Sequence, residues 1–348
     1  IINIMEFVLK ENELKIDAKD WKSFTTIEDS SEMMKIVIQK LVEMPEVERL
    51  TISEFREIEY DEQQVKMLKE IAEIYRSFVF EKGALRLDFF PERNQETKEL
   101  IDLLLSDPIW CYVKVSMKLM KEKSRYAEEF LIPLKEALER TSLIREIKDR
   151  LTQYKPRDRS FYRIILVPVM RPIFMLSRFR VFPPKNSKLI EKYFLKDGSE
   201  VSVYKVLGKV RLLYFILSKE FSLSEEKYKL LNEARAILME KGMEEREMKD
   251  FETVRKIFLE RSKAIIKDLV IKNNLPISPK EIDELAEILV RYTAGFGILE
   301  ILLADDRIQD IYVNAPAGFS PVFINHADYG ECETNLIVTQ EEAESWAT

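Results

Sequence analysis

The side chains able to do chemistry are few and far apart. In 348 residues there is one histidine, His326, and there are two cysteines, Cys111 and Cys332. Two cysteines so separated make neither a disulfide framework nor a zinc site, and they fit a reducing compartment. A single histidine further disfavours zinc and haem. Carboxylates cluster at Asp305, Asp306 and Asp310. Such a group either holds a hard cation or caps the start of the next element. Asp310, beside a strand, could instead pair across a subunit interface. His326, at a strand end, serves either as a structural hydrogen-bonding group or as a nucleotide or interface contact. Thr334-Asn335 either bonds a neighbouring turn or faces a cleft. Gly295 and Gly297 suit a helix terminator and tight turn, or close approach of a ligand. No acid, base and nucleophile converge, so no catalytic residue is named.

Phosphate chemistry needs a loop that these residues do not supply. The pattern G-x-x-x-x-G-K-S/T is absent: Gly208-Lys209 is followed by Val210, and Val203 stands where the first glycine belongs. Gly295-Phe296-Gly297-Ile298-Leu299-Glu300 fails the dinucleotide pattern at its third glycine and follows a helical run rather than a strand. G-x-S-x-G and H-E-x-x-H do not occur.

Composition sets the frame that must position these residues. Hydrophobic residues are 46% and charged residues 34%, which excludes wholesale disorder. Only 8 residues are glycine, which favours helices over tight turns. No apolar run approaches the ~20 residues that span a bilayer. No signal peptide opens the chain. It starts Ile1-Ile2-Asn3 without Met, so the natural N-terminus is expected upstream.

The net charge of −7 conceals a boundary. Residues 1–150 carry 25 basic and 32 acidic residues, residues 155–185 carry eight basic residues and only Asp158, and residues 186–348 carry 22 basic and 29 acidic residues. The basic strip, which includes Arg157, Arg159, Arg163, Arg171, Arg178 and Arg180, contains five prolines and is not one helix. It reads as an interdomain strap whose arginines pair with the acidic regions, or as a contact for a membrane surface, a membrane protein or, least of all, nucleic acid.

The periodicities predict an α+β chain in four parts: a helix-rich region over 1–154, the basic connector 155–185, a β-meander with helices over 186–275, and an incomplete α+β domain over 276–348. In the first part, a helix follows Ser30-Ser31 to about Val42. Arg49 to Ile58 is β-prone. A helix from Asp61 stripes Val65, Leu68, Ala72, Tyr75 and Phe78, and helices follow at 95–105, 108–123 and 125–152. In the third, strands run to Leu195, around Val201–Val206 and over Val210–Leu217, with an Asp197-Gly198 two-residue turn. A capping box at Ser222 begins one helix, and a longer one spans Lys249–Lys272. In the fourth, Ser278-Pro279-Lys280-Glu281 starts a helix that Gly295 or Gly297 ends. Strands then cover Ile308–Val313, Pro321–Asn325 and Cys332–Thr339, and a helix starts at Gln340.

One ordered set of residues carries a family resemblance. Arg291-Tyr292-Thr293-Ala294-Gly295-Phe296-Gly297 is followed by Leu302-Leu303-Ala304-Asp305 and by Asp310-Ile311-Tyr312-Val313-Asn314-Ala315-Pro316. Pro321-Val322-Phe323-Ile324-Asn325-His326 and Thr334-Asn335 complete the set. This order resembles the N-terminal domain of the type II/IV secretion, pilus and archaellum ATPases, archaeal branch, over roughly 180–348. The resemblance implies a PAS-like sheet in a homohexameric cytoplasmic motor, peripheral at the membrane. Mg-ATP would be held in a RecA-like core. A polytopic membrane platform protein would receive the motion, and pilin-like subunits would be the indirect substrates. The chain departs from that family by ending before the Walker motifs, so it is expected to be a truncated, inactive forepart. The alternative is a non-enzymatic adaptor that binds a partner or anionic lipid through 155–185.

Overall fold

A computed structural model describes residues 5–19, 21, 25–86, 88–155, 158–184, 186–241 and 251–347. Contacts divide the chain into two units. The first comprises Ile1–Glu54 with Ile58–Pro168, and the second comprises Phe55–Glu57 with Val169–Thr348. The basic strip is shared between them. Both units are mixed α+β.

In the first unit β1 (Glu6–Lys10) and β2 (Glu13–Asp17) form a hairpin. Its two turn residues, Glu11 and Asn12, both have positive φ, as a tight hairpin turn demands. Helix α1 (Ser31–Glu43) then crosses over to β3 (Arg49–Ser53), which runs parallel to β2. The Ser30 hydroxyl caps α1 by accepting the Met33 N–H at 3.1 Å, and Met33, Met34, Val37, Ile38 and Leu41 form its buried face. After β4 (Arg56–Tyr60), Asp61 and Gln64 exchange hydrogen bonds as a capping box for α2 (Glu62–Arg76). The predicted stripe is buried at Val65, Leu68, Ala72 and Phe78, with Tyr75 half-buried.

Helices α3 (Asn94–Ser106) and α4 (Pro108–Leu119) follow the expected spacing. The long helix expected over 125–152 is broken. A π turn at Ala127–Leu131 leads into α5 (Ile132–Arg140), whose first turn holds Pro133. Thr141 then leaves helical geometry and caps α6 (Ser142–Ile147), and a 3-10 segment, Lys148–Gln153, ends the run. A proline without an N–H and a threonine that bonds backbone locally explain the breaks. Helix α7 (Ser160–Ile165) closes the unit.

The second unit opens with β5 (Val169–Pro172) and β6 (Arg178–Arg180), an antiparallel pair. The meander is present as β7 (Ser187–Phe194), β8 (Glu200–Val206) and β9 (Leu212–Leu217). Its first turn differs from expectation. The Leu195 N–H bonds the Ser199 carbonyl at 2.8 Å, so the loop has three residues, with Gly198 at φ +86°. Ser224, not Ser222, caps α8 (Glu225–Lys241), taking the Lys227 N–H; the Ser222 hydroxyl instead donates to the Lys219 carbonyl. Helix α9 (Phe251–Lys272) follows; the expected start at Lys249 lies outside the described residues.

Helix α10 (Pro279–Arg291) carries the predicted capping box at Ser278 and Glu281. Neither glycine ends it, since Tyr292 is its cap. Gly297, at φ +56°, instead precedes α11 (Ile298–Leu303). A Cβ on Gly295 would lie 2.2 Å from Glu300 Oε1 and 2.9 Å from the Arg291 carbonyl, so that glycine is required by close packing. Strands β10 (Ile308–Tyr312), β11 (Phe323–His326) and β12 (Gly330–Thr334) follow. Strand β12 runs parallel beside β9, so the meander and these strands build one six-stranded sheet in the order β10-β11-β12-β9-β8-β7. The strand expected over Cys332–Thr339 is interrupted at Asn335. Beyond it β13 (Leu336–Ile337) pairs with β6, and α12 (Gln340–Ala347) follows.

Replacing Ser278 with Ala removes one side of the α10 capping box. Chemical denaturation is expected to show a loss of about 1 kcal/mol.

Candidate functional site

The polar residues singled out near the chain end converge on the second unit's sheet. Asp305 follows α11 and is 4% exposed. Its Oδ2 accepts the hydroxyls of Tyr193 at 2.5 Å and Tyr214 at 2.8 Å. Its Oδ1 accepts the Arg307 N–H at 3.0 Å, which turns the chain into β10. Asp305 is therefore a cap. The metal alternative for Asp305, Asp306 and Asp310 does not fit: Asp306 points to solvent and pairs with Lys196, and Asp310 lies exposed on β10. Among the described residues no group of three ligating side chains could hold a metal.

His326 ends β11 with its ring buried. Nδ1 accepts the Asp328 N–H at 3.1 Å, so in the neutral ring the proton sits on Nε2. Nε2 faces the Tyr193 hydroxyl at 3.2 Å. A chain of donors therefore runs from His326 through Tyr193 to Asp305. Burial pushes the His326 pKa below its ordinary value, against the opposing pull of Asp305 and Asp328. Burial, then Asp305, pushes both tyrosine hydroxyls up. At the rim, Glu191 accepts the Tyr329 hydroxyl at 2.9 Å and pairs with Arg307 at 3.1 Å, and both hold its carboxyl below the usual range.

A second cluster surrounds Glu220, 1% exposed. Its Oε1 accepts Arg291 Nη1 at 2.5 Å and the Tyr292 hydroxyl at 3.1 Å, and the Ser218 hydroxyl donates to Oε2. Burial opposes the Arg291 charge, but Glu220 outweighs it and the pKa rises. Arg255 holds Glu300 with two hydrogen bonds of 2.6 and 2.9 Å.

Thr334 and Asn335 join the sheet to its neighbour. Asn335 Oδ1 accepts the Ile216 N–H at 2.9 Å, and its Nδ2 donates to the carbonyls of Ile216 and Arg180, both at 3.0 Å. The Thr334 hydroxyl donates to the Val322 carbonyl at 2.7 Å. Thr334 bonds nearby backbone, but Asn335 bonds β9 and β6 rather than a neighbouring turn. Other motif residues do not converge on the clusters. Ile311 pairs with Ile324 in the sheet, and Pro321 leads into the buried Val322. Leu303 is 66% exposed, and Asn314 and Pro316 are on the surface.

The arginines of the basic strip lie elsewhere. Arg159 donates to the carbonyls of Ile27, Glu28 and Ser106. Arg163 pairs with Asp29, Arg171 with Glu57, and Arg178 donates to the Gly318 carbonyl. Arg180 anchors Asn335 through its backbone. Arg157 lies outside the described residues. The side chains of Arg159, Arg163, Arg171 and Arg178 thus bond groups of their own unit, Arg163 and Arg171 on carboxylates and Arg159 and Arg178 on backbone carbonyls.

Sequence reading gave no role to Glu220, Tyr193, Tyr214, Glu191 or Arg307. Glu191 and Tyr193 alternate on one strand face, a period-two signal that was available. Glu220 precedes Arg291 and Tyr292 by some seventy residues, a separation that leaves no local pattern.

No protein-family model matches the chain. It is similar to the uncharacterized protein MJ0781 of Methanocaldococcus jannaschii, with 36% identity over 64 residues. That stretch is 18% of this chain and 8% of the relative.

Two outcomes follow from this geometry. Asn335→Ala leaves the buried Ile216 N–H and carbonyl unpaired, and denaturation is expected to show a loss of about 3 kcal/mol. His326 binds a proton more readily unfolded than folded. Its contribution to stability is therefore full above the ordinary value of 6.5 and is lost as pH falls from there through the lower folded value. Thermal melts between pH 7 and 5 should show His326→Gln less stable at pH 7 but with a shallower decline.

Proposed function

We propose that this chain is the non-catalytic forepart of a hexameric motor ATPase of the type II/IV secretion, pilus and archaellum family, archaeal branch. One observation supports this above others. Arg291, Tyr292, Asp305, His326, Thr334 and Asn335 of the motif are held by hydrogen bonds inside a single α+β unit, while Asp310 and Asn314 are exposed. Such a unit is suited to transmitting motion rather than making or breaking bonds. We read its sheet, with the flanking helices, as the PAS-like domain of that family. In this reading Mg-ATP binds a RecA-like core outside these 348 residues. The motor works at the cytoplasmic face of the membrane, on a polytopic platform protein that handles pilin-like subunits. Among the described residues no helix is long and apolar enough to cross a membrane. The short match to a far longer archaeal relative agrees with a multidomain protein.

The test begins with the reading frame beyond Thr348. A G-x-x-x-x-G-K-S/T loop is expected within about one domain length, ~100–200 residues. The extended protein should form hexamers and hydrolyse ATP, and the 348-residue chain should show no turnover. A frame that stops at Thr348, or that continues without the loop, overturns the reading.

A further inference from the structure

The end of the β8–β9 hairpin carries two aliphatic side chains that pack on nothing. Leu207 is 79% exposed and Val210 95%. Between them Gly208 takes φ +83°, and a Cβ there would meet no atom within 4 Å. The feature is therefore convex. The turn itself is built rather than frayed: the Lys209 N–H bonds the Val206 carbonyl at 3.2 Å, and the Leu207 N–H bonds the Asn186 carbonyl at 3.0 Å. The Lys205 ammonium reaches the carbonyls of Lys209 and Val210 at 3.2 and 3.3 Å, which holds the tip in shape.

Cations ring these two side chains. Lys188 and Lys205 face each other directly across β7 and β8, and neither has a carboxylate partner among the described residues. Like charges placed opposite one another in a sheet repel, and an anion between them removes the penalty. Lys209 and Arg211 complete the ring, Lys209 bonded by both oxygens of the largely buried Glu333 and Arg211 paired with the exposed Glu331. The exposed Arg211–Glu331 pair is weak and exchanges readily for phosphate.

We propose that this tip docks on an anionic lipid surface. Leu207 and Val210 would enter the boundary between headgroups and acyl chains, while Lys188, Lys205, Lys209 and Arg211 would lie at phosphate depth. A fluid bilayer receives a convex apolar wedge without a preformed groove. Apolar insertion and basic charge together supply the two signals that stable peripheral binding requires. The site is separate from the strip 155–185, whose Arg159, Arg163, Arg171 and Arg178 side chains are engaged within their own units. The proposal does not rest on the motor reading: the frame beyond residue 348 decides that one, and vesicle binding decides this one.

The experiment is vesicle flotation of the full chain with phosphatidylcholine alone and with vesicles rich in phosphatidylglycerol. Binding is expected only to the anionic vesicles and should weaken as salt rises. The double variant Leu207→Ser with Val210→Ser should melt as the parent does and bind about tenfold or more weakly. Because Cys111 and Cys332 are both buried, Val210→Cys offers one accessible thiol for a polarity-sensitive dye. Its emission should shift to the blue on anionic vesicles, and a dye at Phe194→Cys, elsewhere on the same sheet, should not respond. Absent vesicle binding, undiminished binding of the double variant, or tip-dependent binding to an acidic polypeptide but not to vesicles would overturn the proposal.

Discussion

The carboxamide of Asn335 takes the place of a strand's backbone opposite Ile216, accepting from the N–H of that residue and donating to its carbonyl. Its second amide hydrogen bonds the Arg180 carbonyl. One side chain thus closes two edges at the point where the chain leaves β12 and becomes the partner of β6. A buried peptide group that lost this partner would carry its full desolvation penalty. Any other side chain leaves part of the set unmet: Asp cannot donate, Ser is too short, and Leu does neither. The six-stranded sheet and the strands β5, β6 and β13 of the same unit meet under that constraint.

The charged interior of this unit follows the same logic. Asp305 is tolerated inside because two tyrosine hydroxyls and a backbone N–H satisfy it. Glu220 is tolerated because an arginine, a tyrosine and a serine do. In each case aromatic or guanidinium side chains from distant elements reach the carboxylate, and Glu220 also takes the neighbouring Ser218 hydroxyl. Removing one member of such a set costs more than the pair contributes, because the survivor is left charged and dry. The network therefore specifies one arrangement of β7, β9, α10 and α11 more than it adds stability. A nucleophile or general base needs an open approach, and His326 has none.

Local signals were legible in the sequence and long-range ones were not. The helix start at Asp61, the capping box at Ser278 and the stripe from Val65 to Phe78 follow from residues within one or two turns, although the box expected at Ser222 is taken by Ser224. The three-strand meander does so too. The broken helix over 125–152 shows where apolar periodicity misleads: Pro133 and Thr141 change the backbone while the apolar period continues through them. The parallel pairing of β9 with β12 joins residues more than a hundred positions apart, and nothing in either strand announces the other. The motif residues of the candidate site were visible as a set. Their partners Tyr193, Tyr214 and Glu220 became visible only once the fold brought them near.

The most direct test of this account is the nitrogen NMR spectrum of the imidazole, unambiguous because His326 is the only histidine. A sealed network predicts a neutral ring with Nε2 protonated and Nδ1 accepting, unchanged as pH is lowered past 6.5 while the protein stays folded. A ring that titrates near 6.5 with both nitrogens averaged would mean that His326 is open to solvent. The buried chain through Tyr193 to Asp305 would then not be the interior of this unit.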